Sequence, residues 1–187
     1  MSTVEAYFAT TSNVKLEEAA YCLGGHGISV QKLDPGELPE VLSLDLERVS
    51  REKALYAFRQ LRVPLFCEHG SLAIEALKGL PGSLSRVFYD ALGDEICELL
   101  PAGKPRTAVA SAAVTYCDGR RIQTFVGEIR GEVPSTGRGA RNYYYDRVFV
   151  PEAGARTFAE MSLGEKLDHS HIRIAYDKLG AHLTNAK

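Results

Sequence analysis

The chain is predicted to fold as one domain of mixed α/β class, and three features predict it. Its 187 residues match the size at which a single hydrophobic core suffices. Strand-like runs alternate with helical stripes over the first third, and a long β-rich pair follows in the second half. No internal repeat, low-complexity tract or linker interrupts that order.

The elements follow in sequence. Val4 to Ala9 has the composition of a strand. Leu16, Ala19, Ala20 and Leu23 then recur at helical spacing, with Asn13 placed to cap that helix and Gly24-Gly25 to end it. Ile28 to Leu33 reads as a second strand, left through the turn Asp34-Pro-Gly36. Ala54, Ala57, Phe58 and Leu61 mark a second helix starting near Asp45. Pro64 to Cys67 is a short buried strand, and Leu84 to Leu100 reads as two short helices. Thr107 to Cys117 and Arg120 to Val133 form a hairpin through the two-residue turn Asp118-Gly119. Tyr143 to Val150 is expected as a further strand. A last helix carries Ile172, Ala175, Tyr176, Leu179 and Leu183 on one stripe.

Composition excludes several function classes. With 45% hydrophobic and 25% charged residues the chain is globular in composition. A formal charge of −2 argues against a nucleic-acid-coating protein, while leaving room for a local basic pocket that takes a small anion. No run approaches the roughly 20 apolar residues that span a bilayer, and Met1 to Ala9 lacks the pattern of a secretory signal. Cys22, Cys67, Cys97 and Cys117 form no C-x-x-C pair, so buried free thiols in a cytoplasmic protein are expected.

Five segments carry residues suited to chemistry, each with a plain structural alternative. Thr11-Ser-Asn-Val-Lys15 joins the first strand to the first helix, where free backbone N–H groups and the Lys15 ammonium suit a phosphate; the alternative is an N-cap with a surface lysine. Asp45, Glu47 and Glu52 near Lys53 can hold Mg²⁺ against a triphosphate, or simply complement a helix dipole. Cys67-Glu-His-Gly-Ser71 follows the third strand. Alternation puts Cys67 and His69 on one face and Glu68 on the other, and a carboxylate beside a histidine can be an acid/base pair or a structural turn. Arginines interleave with Tyr143, Tyr144 and Tyr145 before Asp146, a set able to stack and anchor a base, or to place Tyr144 in the core. Glu165-Lys166 and His169-Ser-His171 precede the last helix. Lys166 and His171 suit donation to a purine carbonyl better than metal binding, since no third ligand is nearby.

The order of these motifs resembles one family over nearly the whole chain, the inosine triphosphate pyrophosphatases of deaminated-purine nucleotides. The matching pieces are Ala9-Thr-Thr-Ser-Asn13 with Lys15 and Leu16-Glu-Glu-Ala19, then Asp45-Leu-Glu-Arg-Val with Arg51-Glu-Lys-Ala54. They continue with Pro64-Leu-Phe-Cys-Glu68, Glu75-Ala-Leu-Lys-Gly-Leu-Pro-Gly82, and Phe125-Val-Gly-Glu128 with Gly131. Last come Tyr145-Asp146, Phe149 with Pro151, Thr157-Phe-Ala-Glu-Met161, Glu165-Lys166 and Ser170-His171. The resemblance implies an elongated central mixed sheet with flanking helices, two lobes around a nucleotide cleft, and a homodimer. It also implies Mg²⁺-dependent hydrolysis of ITP, dITP and XTP to the monophosphate and pyrophosphate. On the matching positions, Thr11, Ser12, Asn13, Lys15 and Lys53 bind the nucleotide with Asp146, Lys166 and His171, Tyr143 stacks on the base, and Glu47 and Glu68 hold the metal.

The departures from the family are specific. Where the family keeps the aspartate credited with metal binding and water activation, this chain has His69, whose neutral imidazole is not a hard anionic oxygen. The family's Ser-His-Arg becomes Ser170-His171-Ile172, and Arg173 would replace the lost guanidinium only from about 100° further round the helix. The family's Gly-Phe-Gly-Tyr-Asp becomes Asn142-Tyr-Tyr-Tyr-Asp146, and the phosphate loop is one residue shorter. Losing a general base typically slows an enzyme about 10²–10⁴-fold. The expectation is therefore a binder of dITP or ITP with little or no hydrolysis, sensing nucleotide for a partner effector, with antiphage defence as the setting by analogy. The alternatives are an active pyrophosphatase using His69 as base and, more remotely, a structural subunit with an empty cleft.

Overall fold

In a computed structural model of the chain, residues 4–101, 103–141, 143–152 and 154–185 are described. Asn142, one of the positions that departs from the family pattern, lies outside the described residues. A mixed sheet with flanking helices forms the architecture. Seven strands are ordered β2-β1-β3-β5-β6-β7, with β4 paired to β3. They span Val4–Ala9 (β1), Ile28–Leu33 (β2), Leu65–Ile74 (β3), Pro81–Gly82 (β4), Thr107–Cys117 (β5), Ile122–Glu132 (β6) and Val150–Pro151 (β7). β1 runs parallel to β2 and β3, whereas β4 and β7 pair antiparallel with β3 and β6. The helices are α1 (Asn13–Gly24), α2 (Leu46–Leu61), α3 (Ser85–Leu92), α4 (Leu163–Asp168) and α5 (His171–Asn185).

The contacts divide the chain into two compact units. The first comprises Met1–His69, Ala112–Gly127 and Ile172–Lys187, and the second Gly70–Ser111 and Glu128–His171. In the first unit the alternation of β3 sets the packing. Leu65 and Cys67 join Ala9, Cys117 and the α2 residues Ala54 and Ala57 in one fully buried cluster. Phe66 points the other way, stacked on Phe8 at 4.5 Å, with the Tyr176 ring of α5 edge-on to both. Ser50, which this packing buries, donates to the Ala113 carbonyl at 3.0 Å and lies 2.8 Å from the Thr115 hydroxyl. The second unit has its own core, built on Leu72, Ile74, Ala108, Ala110, Phe149 and Phe158.

Several local expectations are corrected. Ser12, not Asn13, is the N-cap of α1, its hydroxyl accepting from the Lys15 N–H at 3.3 Å; Asn13 is the first helical residue. β3 does not stop at Cys67 but continues to Ile74, because its residues are buried on both faces. The β5–β6 turn is longer than two residues. Asp118 donates its N–H to the Arg121 carbonyl, and its carboxylate accepts from the N–H groups of Arg120 and Arg121 at 2.8 and 2.7 Å. Those N–H groups hold the Asp118 carboxyl below its ordinary value. Gly119 is obligatory there, since φ is +85° and a Cβ would overlap the Phe58 ring. Tyr144–Val148 forms a 3₁₀ turn instead of the expected strand, because Tyr144 has φ +44°.

All four cysteines are free and buried, and burial pushes the Cys22 and Cys67 thiols up to about 12. A thiol reagent at neutral pH should accordingly label none of them in the native protein and all of them in denaturant; prompt labelling of the native protein would contradict this packing.

Candidate functional site

Two groups of buried polar side chains stand out, one in each unit. In the first unit they gather around the end of β1 and the middle of β3. The chain leaves β1 at Thr10, whose hydroxyl accepts from the Ser12 N–H at 3.1 Å, and enters α1 directly. A helix start of this kind presents N–H groups that lack intrahelical acceptors and favours an anion. Lys32 of β2 braces the same loop, donating to the Thr11 carbonyl at 3.1 Å and to Asn13 Oδ1 at 2.6 Å. Lys15, in the first turn of α1, is buried with its Nζ 3.1 Å from Glu68 Oε1.

Alternation along β3 separates Glu68 from His69. Glu68 turns to the α1 and α5 side, where Lys15 pairs with one carboxylate oxygen and the Tyr176 hydroxyl donates to the other at 3.1 Å. Burial, with Glu68 close by, raises the Tyr176 phenol well above its ordinary value, so it stays a donor. His69 turns to the opposite side with Cys67. The Glu40 carboxylate lies 3.8 Å from its Nδ1, and Glu40 is itself paired with Lys53 at 2.9 Å. The sequence reading of Glu68 and His69 as a direct acid/base pair is thereby replaced by two separate pairs. Burial pushes the Glu40 carboxyl up, but Lys53 outweighs it, with His69 and Lys15 adding, and the net value is lowered.

The metal expectation also changes. Glu47 is exposed in the first turn of α2, beside Asp45, Arg48, Arg51 and Glu52, and is not brought to Glu68. Glu40 is the acidic residue at His69, and it lies in the irregular stretch between β2 and α2, where no periodicity marks it. Mg²⁺ prefers several hard oxygen ligands. Here Glu68 is engaged by a lysine and a phenol, Glu40 by a lysine, and position 69 offers nitrogen. Among the described residues no group of three or more His, Cys, Asp or Glu side chains can hold a metal. The residues present therefore do not fit a protein-built Mg²⁺ site.

In the second unit, Asp146 and Lys166 form a buried ion pair, with Lys166 Nζ 2.9 and 2.7 Å from the two carboxylate oxygens. Burial pushes the Asp146 carboxyl up, against the pull of Lys166 and Arg141. The capping box Ser162–Glu165 starts α4 and so aims Lys166 inward. The Lys166 ammonium lies 5.6 Å from the centre of the Tyr143 ring and 5.5 Å from that of Phe158. His171, at the start of α5, is buried with Nε2 3.0 Å from the Tyr145 hydroxyl. The structure thus brings Tyr143, Asp146 and Lys166 together, while His171 and Lys166 both lie against the Phe158 ring. Arg173 belongs to the first unit and pairs with Asp177 at 3.2 Å, its guanidinium 6.0 Å from the Tyr21 ring centre. Tyr176, Glu40 and Lys32 are the polar partners that sequence reasoning missed.

Breaking a buried ion pair leaves one charge uncompensated. Lys166→Met alone should destabilise by about 3–5 kcal/mol, whereas Lys166→Met with Asp146→Leu should recover most of that loss. Denaturant midpoints of the three proteins check it. Lys53→Ala should raise the Glu40 pKa, read by carboxyl NMR titration. The Glu40 pair contributes stability above the ordinary carboxylate value of 4.5 and loses it as pH falls through the lowered folded value.

Comparison with known proteins agrees with the motif order. The model of the Ham1 family matches residues 6–182. A dITP/XTP pyrophosphatase of Methanopyrus kandleri is 37% identical over 177 residues, covering 94% of each chain. An inosine triphosphate pyrophosphatase of Giardia intestinalis is 35% identical over 191 residues, covering 100% of this chain and 96% of that one. The structure of a HAM1 protein from Coxiella burnetii superposes with a TM-score of 0.82 at 23% identity, covering 98% of this chain and all of that one, which supports the fold. By family match and by full-length similarity, the chain belongs to the Ham1 family.

Proposed function

We propose that the chain binds inosine-type purine nucleoside triphosphates, dITP or ITP, and hydrolyses them little or not at all. The observation that carries this is the environment of position 69. An imidazole stands there, its neighbouring carboxylate Glu40 is tied to Lys53, and Glu68 is tied to Lys15 and Tyr176. Groups suited to binding remain intact. The start of α1 (Thr11, Ser12, Asn13) with Lys15 and Lys53 suits the phosphates, and Tyr143 with Asp146, Lys166 and His171 suits an oxo-purine. A 6-oxo group accepts hydrogen bonds where an adenine amino group donates them, so lysine and histidine donors favour it. Mg²⁺ enters this scheme with the triphosphate as its counter-ion.

A protein that holds such a nucleotide without consuming it is suited to sensing, provided the ligand prefers one of its conformations. The proposed role is a cytoplasmic, homodimeric sensing subunit for an effector protein. Antiphage defence is the setting by analogy with other degenerate nucleotide hydrolases. One observation favours a second reading: with Glu40 Oε1 3.8 Å from Nδ1, His69 has the orienting carboxylate that a general base uses. In that case the chain is an active pyrophosphatase, as its relatives' names describe them.

Calorimetry with dITP, ITP, dGTP and dATP in Mg²⁺, with pyrophosphate release followed on the same samples, separates the two. Binding of dITP or ITP without turnover is the expected result, and His69→Asp should then raise turnover by about 10²-fold or more. Wild-type turnover of roughly 1–10³ s⁻¹, lost in His69→Asp, would establish the enzyme instead.

A further inference from the structure

Tyr144 holds an unusual position in the second unit. Its φ of +44° places a bulky aromatic residue in the left-handed region, where a side chain normally costs energy and glycine or asparagine is usual. Such strain persists where neighbouring contacts hold it, and the Tyr144 side chain has two such neighbours. The Tyr144 hydroxyl accepts from Arg86 Nη1 at 3.3 Å, and the guanidinium carbon lies 5.6 Å from the ring centre. On its other side the Tyr144 ring packs against Tyr143, with centroids 4.4 Å apart and planes at 66°, a favourable edge-to-face geometry. The turn that Tyr144 makes also fixes the backbone of Tyr143. Tyr143 is extended, with φ −137°, and its carbonyl accepts from the Asp146 N–H at 3.1 Å.

Tyr143 is therefore locked twice, through its ring by Tyr144 and through its carbonyl by Asp146. Asp146 in turn holds Lys166, whose ammonium lies beside the Tyr143 ring. We propose that Tyr144 is a positioning residue for base recognition: clamped by Arg86 in a strained conformation, it fixes the tilt of the Tyr143 ring on which the purine stacks. A glycine at this position, as in the family pattern, would make the same turn but leave the Tyr143 ring without its edge-on partner. The strain is retained in exchange for a pre-oriented aromatic face, which lowers the ordering cost on binding.

Because this rests on the nucleotide-binding function proposed above, the test compares two probes on the whole protein. ITP carries a base; inorganic tripolyphosphate engages only the phosphate-binding groups. Tyr144→Gly relieves the backbone strain and removes the ring, and should weaken ITP binding by roughly tenfold, the scale of one aromatic stacking contact, while leaving tripolyphosphate affinity unchanged. Arg86→Met keeps the Tyr144 ring but removes its clamp, and should shift ITP affinity in the same direction by less. Thermal unfolding of each variant verifies folding; because the Tyr144 ring also packs against the core of its unit, the unchanged tripolyphosphate affinity is what separates lost positioning from lost packing. Unchanged ITP affinity in Tyr144→Gly, or equal weakening of both probes, would overturn the positioning role. Wild-type protein that binds tripolyphosphate but not ITP would instead overturn the nucleotide-binding function on which it stands.

Discussion

Glu68 and His69 are neighbours in sequence, and the pleat of β3 sends them to opposite faces of the sheet. The Lys15–Glu68 and Lys53–Glu40–His69 groupings of the first unit follow from that divergence. On one face Glu68 neutralises the buried Lys15 and takes a hydrogen bond from Tyr176. On the other, His69 meets Glu40, which Lys53 already engages. The pairing holds Lys15 in place at the start of α1, where the helix N–H groups favour an anion. The same pairing takes each carboxylate away from a metal.

The second unit uses a buried ion pair differently. Asp146 and Lys166 are nearly inaccessible to water, so their mutual attraction is strong but leaves little net stability after desolvation. What the pair supplies is geometry, since it fixes a donor beside the Tyr143 ring and ties the Tyr144–Val148 turn to α4. The turn itself is anchored by Arg147, whose guanidinium grips Asp94 at 2.8 Å and reaches the Gly139 carbonyl. Rigid placement of an aromatic face and a lysine donor is what discrimination between an oxo- and an amino-purine requires.

Most of the regular structure was legible from the sequence because periodicity reports it directly. β1, β2, α2 and α5 lie where alternation and helical stripes put them, and Asp45 caps α2 as its position suggests. The failures share a cause: they fall where tertiary contacts override local pattern. Tyr143 to Val150 has strand composition, yet a left-handed Tyr144 held by Arg86 bends it into a turn. β3 continues past Cys67 because its neighbours bury both faces, which a run containing Glu68 and His69 does not advertise. Glu40 left no signal at all, being one acidic residue in an aperiodic connection. The family resemblance, by contrast, was carried by the order of many short motifs, and the full-length match bears it out.

Whether the protein holds an inosine-type nucleotide intact is read by a single-turnover experiment. Protein in excess over radiolabelled dITP, with Mg²⁺, would be incubated, separated from free nucleotide and quenched in acid, and the released label identified. The protein-bound label is expected to come off as dITP. Recovery of the label as monophosphate and pyrophosphate would contradict it and make His69 a working base.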